Sequence, residues 1–248
     1  METISSTRKW YRKWWGITIM AVICFLLAMI IALLALSYRY WQLIKSGHGD
    51  NLAKYFSAQS LEKAEDPAIE KIRLEVESTD DPFVGNAEAP FVIVEYLDFK
   101  CPVCKAQDPI LKQVIAKYGD SVKLIVRDFP IESTHSGATR LAEFVSCAYE
   151  QGVFWPIHDY LFQAQDELGD NIDMTLIESL SQRFNLNFTN IKTCLENGIG
   201  KTEVNIDYGS SLKNGARRGT PSFFVNGHLI EGLVPLENWE KAIQTFNQ

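Results

Sequence analysis

Phe91-Val92-Ile93-Val94-Glu95-Tyr96-Leu97 is an apolar run, and a few residues later the chain reads Cys101-Pro102-Val103-Cys104. The run predicts a buried strand, and the apolar residues of the segment 109–116 recur at helical spacing. The two cysteines are therefore expected where a strand passes into the N-terminus of a helix. Pro102 suits the first helical position, because its missing N–H would have no partner there.

This placement of the cysteines predicts reversible disulfide chemistry. A sulfur at a helix N-terminus faces unpaired backbone N–H groups and the positive end of the helix dipole, and both favour the thiolate. We expect an exposed, acidic sulfur at Cys101 and a partly buried partner at Cys104. Two alternatives stay open, a structural disulfide and half of a zinc site, although the sequence has no second Cys-x-x-Cys pair.

Length and charge limit the possible functions. The 248 residues allow one membrane segment and one domain of ordinary size. Residues 1–41 hold five basic residues and one acidic residue, a charge of about +4, so the remainder carries about −11 of the total of −7. So acidic a domain is not expected to bind nucleic acid. Four of the five cysteines lie beyond the N-terminal apolar run, which is typical of an oxidising compartment.

Residues 16–38 contain no charged side chain and are long enough to span a bilayer as a helix. Four basic residues precede this segment and fewer follow it closely, which predicts a cytoplasmic N-terminus (1–15) and an extracytoplasmic remainder. We expect a single-pass protein of the cell (inner) membrane, with its catalytic domain in the periplasm or its equivalent. A cleaved signal peptide, with Ala35-Leu36-Ser37 as the cleavage site, is the alternative.

The rest of the chain predicts a mixed α/β domain. Residues 39–70 are polar and are interpreted as a stalk, and residues 71–248 as the domain. Alternating residues predict an edge strand over 71–77, followed by a break at 79–82 and a loop over 85–90. A second strand over 122–127 completes a βαβ unit, so the two inner strands should be parallel. The remaining elements are four helices within about 133–216, a hairpin at 221–230 turning at Asn226-Gly227, and a helix over 236–246.

This order of elements is that of a thioredoxin-like fold interrupted by an all-helical insertion. The sequence resembles the DsbA-like family of thiol–disulfide oxidoreductases, and within it the membrane-anchored BdbD-type branch. The resemblance covers about residues 82–246. The matching segments are 95–104, His135, Cys147-Ala148, Gln151-Gly152, Phe154-Trp155, His158-Asp159 and 219–227.

The resemblance implies roles for the residues around the cysteines. Cys101 would be the nucleophile and Cys104 the resolving cysteine, with Pro102 and Val103 tuning the couple. Oxidising relatives often have histidine where Val103 stands, so we expect a less oxidising couple here. Thr220 would present its backbone to substrate beside a cis-proline, Pro221; the alternative is an ordinary trans proline at a strand start.

The resemblance also bears on Glu95, on two further cysteines and on two histidines. Glu95 would be a buried acid beneath the disulfide, with a raised pKa; alternatively it is a half-exposed strand residue paired with Lys123 or Arg127. Cys147 and Cys194 lie on different predicted helices and form either one structural disulfide or two free thiols, and the resemblance favours the disulfide. His135 and His158 are assigned to helix capping and packing, and no metal site is expected.

These observations predict a membrane-anchored enzyme that introduces disulfide bonds into translocated proteins through Cys101 and Cys104. The implied partners are cysteine-containing substrates and a quinone-linked membrane oxidase that restores the disulfide. No cofactor besides the disulfide is expected. The alternatives are a reductase or isomerase using the same site, and a non-enzymatic binding module.

Overall fold

The computed structural model describes residues 14–45, 66–217 and 219–247. The chain divides into two units, Met1–Ser46 and Gly47–Gln248. The elements in chain order are α1 (Trp14–Lys45), α2 (Pro67–Val76), β1 (Phe83–Gly85), β2 (Phe91–Leu97), α3 (Pro102–Tyr118), β3 (Val122–Asp128), α4 (Ala138–Tyr149), α5 (Phe154–Gln163), α6 (Met174–Arg183), α7 (Phe188–Glu196), α8 (Ile199–Lys213), β4 (Ser222–Val225), β5 (His228–Glu231) and α9 (Leu236–Phe246).

Helix α1 accounts for the part of the N-terminal unit that the structure describes. It contains the predicted membrane-spanning segment 16–38. Its stretch Thr18–Arg39, 22 residues with a mean hydropathy of 3.2, is long and apolar enough to cross a bilayer. Residues 1–13 and 46–65, which include most of the predicted cytoplasmic N-terminus and stalk, lie outside the described residues.

The second unit contains a five-stranded sheet in the order β1-β3-β2-β4-β5. Strand β2 is central and buried at every position, and it pairs in parallel with β3. The crossover through α3 explains this direction, because the helix of a βαβ unit returns the chain to the end of the sheet at which the first strand began. Strands β4 and β5 form the predicted hairpin. Its turn residues Asn226 and Gly227 both have positive φ, 45° and 83°, as a two-residue type I′ turn requires.

The predicted edge strand over 71–77 is wrong, since Pro67–Val76 is a helix. Asp66 caps it by accepting a hydrogen bond from the Ala68 N–H, and Pro67 occupies its first turn. The alternation of polar and apolar residues misled the prediction. In a strand Leu74 and Val76 would share one buried face, but in the helix Leu74 is 76% exposed while Val76 is fully buried. The true edge strand, β1, lies between the predicted break and the predicted loop, overlaps that loop only at Gly85, and pairs antiparallel with β3.

The helical insertion between β3 and β4 has five helices among the described residues, one more than predicted. Helix α8 escaped the prediction because its buried face consists of one apolar residue and three small or polar ones: Gly200, Val204, Asp207 and Ser211. Asp207 forms an ion pair with Arg127 of β3, which also pairs with Asp81. This buried contact joins the insertion to the sheet.

The apolar faces of α4 to α7 share one hydrophobic cluster with the active-site segment. Leu97 and Phe99, together with Cys101 and Cys104, belong to this cluster rather than to the cores on the sheet. The insertion therefore packs directly against the residues that follow β2.

Candidate active site

Cys101 is the N-cap residue of α3, and Cys104 lies one turn later inside the helix. Both are free thiols in this structure. The Cys101 Sγ donates a hydrogen bond to the backbone oxygen of Thr220 at 3.3 Å. The Thr220–Pro221 peptide bond is cis, as the resemblance implied. The tertiary structure thus brings together the two predicted segments, 101–104 and 220–221.

The prediction that the Cys101 sulfur is exposed is wrong, because the residue is only 4% exposed. Its partner Cys104 is fully buried. The segment 219–221 and the helical insertion cover Cys101, and neither contact follows from the local sequence. Pro102 and Val103 are the outward-facing members of the motif, and Val103 is 39% exposed.

The two thiols differ in acidity. The pKa of the Cys101 thiol is lowered to about 6, chiefly by a hydrogen bond with the Cys104 thiol; the Thr220 side chain and the N–H groups of Cys104 and Val103 act in the same direction. Burial raises the pKa of the Cys104 thiol well above its ordinary value, and the adjoining Cys101 raises it further. Near neutral pH the negative charge of the pair therefore lies on Cys101.

The Thr220 hydroxyl is a side-chain donor among these groups. Its oxygen is buried and has no other hydrogen-bond partner among the described residues. A buried hydroxyl gains by donating to a neighbouring anion, so this group favours ionisation of Cys101.

Glu95 occupies the central strand and is 3% exposed. The alternative of pairing with Lys123 or Arg127 fails: Arg127 pairs with Asp207 and Asp81, and no described residue forms an ion pair with Glu95. The pKa of the Glu95 carboxyl is raised to about 8, first by burial and then by the charges of Asp108 and Cys101. The acid is therefore protonated at neutral pH.

A cavity of about 340 Å³, mostly apolar, lies beside Glu95 between α3 and α5. At its rim Asp108, His158 and Asp159 could together offer three ligand atoms to a metal ion. Lys112 already binds both carboxylates, at 2.8 Å from Asp108 Oδ2 and 2.9 Å from Asp159 Oδ1. This ammonium supplies the positive charge that the two acids require.

Asp98 is a residue of the site to which sequence reasoning gave no role. Its buried carboxylate accepts hydrogen bonds from the N–H groups of Lys100 and Ile131, and it lies 2.7 Å from His135 Nδ1. Its backbone oxygen accepts the Cys101 N–H at 2.9 Å. An acidic residue directly after a buried strand was the available signal, because such a side chain commonly bonds nearby N–H groups. His135 was assigned to capping, and its partner is this carboxylate.

Two glutamines were also missed. Gln107 of α3 is fully buried and exchanges hydrogen bonds with the backbone of Val234, at 2.7 and 3.3 Å. Gln165, after α5, bonds to the backbone on both sides of Lys100. Both partners are distant in sequence, so no local pattern marks either residue.

Cys147 and Cys194 form a disulfide between α4 and α7. It lies within the insertion and is separate from the Cys101–Cys104 pair. Of the two arrangements left open by the sequence, the structure contains the bridged one.

A family model described as thioredoxin matches residues 77–245 of the chain. The chain belongs to the thioredoxin family. Within that family its architecture is DsbA-like. It is similar to oxidised BdbD from Bacillus subtilis, with a TM-score of 0.58 and 22% identity over 68% of this chain and 94% of BdbD. It is also similar to the thiol-disulfide exchange protein alpha-DsbA2 from Wolbachia pipientis, with a TM-score of 0.60 and 20% identity over 71% and 92% of the two chains.

A longer relative shares part of this thioredoxin-family sequence. The Na(+)/H(+) antiporter NhaA 3 of Salinispora tropica is 31% identical over 196 residues, which is 78% of this chain and 29% of the antiporter. The chain thus spans less than a third of that relative's length.

Proposed function

We propose that this chain is a membrane-anchored, extracytoplasmic thiol–disulfide oxidoreductase that introduces disulfide bonds into translocated proteins. The observation that carries the proposal is the unequal acidity of the two thiols, with Cys101 acidic and Cys104 held neutral. The DsbA-like fold supports it, since that fold is shared with a thiol-disulfide exchange protein.

The reaction starts from the Cys101–Cys104 disulfide. A substrate thiolate attacks Cys101 Sγ and forms a mixed disulfide, while the Cys101–Cys104 bond breaks and Cys104 leaves with the electron pair. Glu95, protonated below about pH 8, is the acid that neutralises Cys104. A second substrate thiol loses its proton and attacks the substrate sulfur, which releases Cys101 as a thiolate. Two electrons have then moved from substrate to enzyme.

The direction of exchange depends on how well the released thiolate is stabilised. A pKa of about 6 instead of 9.0 favours the reduced enzyme at pH 7 by about tenfold, because pH 7 lies one unit above the lowered pKa and below the ordinary one. For a two-electron couple this corresponds to about 30 mV. Such a contribution indicates a moderately oxidising disulfide, in agreement with valine rather than histidine at position 103.

The site also provides a place for the substrate backbone. The Thr220–Pro221 segment lies against Cys101, so an extended substrate strand can pair with the backbone of Thr220 while its cysteine reaches the sulfur. The re-oxidising partner we propose is a quinone-linked membrane oxidase, because restoring the disulfide requires an acceptor of two electrons. Helix α1 and the basic residues before it support the membrane placement. Proteolysis of intact spheroplasts tests this placement, since only an extracytoplasmic domain is digested.

The decisive experiment is equilibration of the full-length protein in detergent with glutathione buffers, followed by alkylation to count free Cys101 and Cys104. We expect a reduction potential between the roughly −270 mV of thioredoxin and the roughly −120 mV of DsbA. A potential at or below that of thioredoxin would indicate a reductase instead.

Substrate trapping separates an enzyme from a binding module. Cys104→Ser should accumulate mixed disulfides with translocated proteins, and Cys101→Ser is the matched control that should accumulate none. If neither variant forms mixed disulfides, the enzyme proposal fails and the non-enzymatic alternative stands.

A further inference from the structure

The segment 164–170, which is most of the connection between α5 and α6, contacts the active-site segment at several points. Lys100 donates to the backbone oxygen of Gly169 and to Asp170 Oδ1, at 3.1 Å in both cases. Lys105 pairs with Asp166. The aspartate side chains of both pairs are more than 80% exposed, so the pairs contribute little.

The contact made by Gln165 differs because it is buried. The residue is 8% exposed, and its Nε2 donates to the backbone oxygens of Phe99, at 2.8 Å, and Cys101, at 3.0 Å. No other described residue bonds to the Phe99 oxygen, whereas the Cys101 oxygen also accepts the first helical bond, from the Lys105 N–H at 3.1 Å. Removing the amide would leave a buried carbonyl without a donor, which is costly.

Hydrogen bonds to these two oxygens restrict the backbone that carries the Cys101 sulfur. The Phe99 oxygen belongs to the Phe99–Lys100 peptide plane, one residue before Cys101, and the Cys101 oxygen belongs to the Cys101–Pro102 plane directly after it. Rotation of the second plane changes ψ of Cys101, which is now 120°. That angle sets the direction of the sulfur relative to the N–H groups of Val103 and Cys104. A single amide that binds both planes therefore limits the rotation that would turn the sulfur away.

We propose that Gln165 is a positioning residue for the exchange reaction: its amide binds the Phe99–Lys100 and Cys101–Pro102 peptide planes and so holds the backbone at Cys101 with the sulfur against the N-terminus of α3. The inference rests on the proposed function, since it concerns the reactivity of the same sulfur. It assigns the helical insertion a direct part in controlling the cysteine pair.

The test compares two glutamines of the insertion that both bond to backbone. Gln165→Met keeps the length of the side chain and removes its donors. Gln151→Met is the matched control, because Gln151 exchanges hydrogen bonds with the backbone of Asn187, at 2.8 and 3.4 Å, elsewhere in the insertion. The readouts are the pH dependence of Cys101 alkylation by iodoacetamide in the reduced full-length protein and the equilibrium with glutathione.

We expect Gln165→Met to raise the pKa of Cys101 by about one unit and to shift the glutathione equilibrium toward the disulfide by about fivefold, as loss of one buried hydrogen bond implies. Gln151→Met should change neither quantity, even if both variants lose similar stability to urea. Equal pKa values for Cys101 in the two variants would overturn the positioning role.

A second variant keeps the test decisive if Gln165→Met does not fold. In Gln165→Glu the side chain either donates one bond as a neutral acid or repels the thiolate as a carboxylate, so the pKa of Cys101 should rise in either form. An unchanged pKa would contradict the proposal. Failure of the proposed function is distinguishable, because the unaltered protein would then show a Cys101 pKa near that of an ordinary thiol.

Discussion

Replacing Glu95 by glutamine should stabilise the protein at neutral pH. The carboxyl group is buried on the central strand, and no described residue forms an ion pair with it. Its pKa is about 8 in the folded protein, against 4.5 for the unperturbed group. Glutamine has nearly the same size and carries no charge, so it is free of the penalty that burial imposes on the carboxylate.

The sign of the pH dependence follows from the raised pKa. Below pH 4.5 the carboxyl is protonated in both the folded and unfolded states, and its contribution to stability is fully present. As pH rises from 4.5 toward 8, the unfolded chain loses this proton while the folded protein keeps it, so stability falls by about 1.4 kcal/mol per pH unit. At pH 7 the loss reaches about 3 kcal/mol, an upper value because the adjoining cavity can admit water.

The assay is urea unfolding of reduced full-length protein in detergent, measured from pH 4 to pH 8. The difference in unfolding free energy between Glu95→Gln and the unaltered protein should grow from near zero at the acidic end to about 3 kcal/mol at pH 7. Glu178→Gln, on an exposed position of α6, is the control and should give a flat difference. The same Glu95 variant should exchange disulfides more slowly, because it lacks the acid that protonates Cys104.

A constant difference across this pH range would refute the reasoning, since it would show that Glu95 titrates alike in the folded and unfolded protein. Identical pH profiles for the Glu95 and Glu178 variants would do the same. If stability behaved as expected and exchange were not slowed, Glu95 would be a buried acid without a part in the proton transfer.

Two further predictions concern stability. Changing both Cys147 and Cys194 to serine should lower the unfolding free energy by about 4 kcal/mol, as the chain-entropy model gives for cysteines 47 residues apart, and mass spectrometry of thiol-blocked, non-reduced protein should find neither thiol alkylated in the parent. Arg127→Met should cost about 3–5 kcal/mol by stranding the buried carboxylate of Asp207. Adding Asp207→Asn should recover part of that loss; a fully additive double variant would argue against their pairing.

Local sequence was sufficient to predict the secondary structure wherever a single residue type or the spacing of apolar residues restricted the backbone conformation. The stretch 91–97, apolar except for Glu95, required a strand buried on both faces, and Pro102 marked the first turn of the following helix. Asn226-Gly227 specified a turn with two positive φ angles. Each of these signals acts over a few residues, so the surroundings had little influence on the outcome.

Prediction failed where a distant partner decided the conformation. Residues 72–76 alternate like a strand, but the cap at Asp66 and the burial of Val76 made them helical. Phe83–Gly85 became a strand because β3 presented a free edge to it, and a Cβ at Gly85 would approach the Val122 oxygen to 2.1 Å. Helix α8 packs through Gly200 and a buried ion pair, so its sequence lacks the helical spacing of apolar residues on which the prediction relied.

The chain's amino-acid order alone determined the site's chemistry: two sulfurs one helical turn apart at a helix N-terminus favour a thiolate on the first of them. It also determined the apolar N-terminal helix. Only the tertiary structure decided how far that sulfur is covered, because Thr220 contacts it from 119 residues away and Gln165 contacts the backbone oxygen of Cys101 from 64 residues away. The physical reason is that neighbouring residues set the backbone conformation, whereas the burial of a side chain and its hydrogen-bond partners depend on residues that the tertiary fold brings next to it.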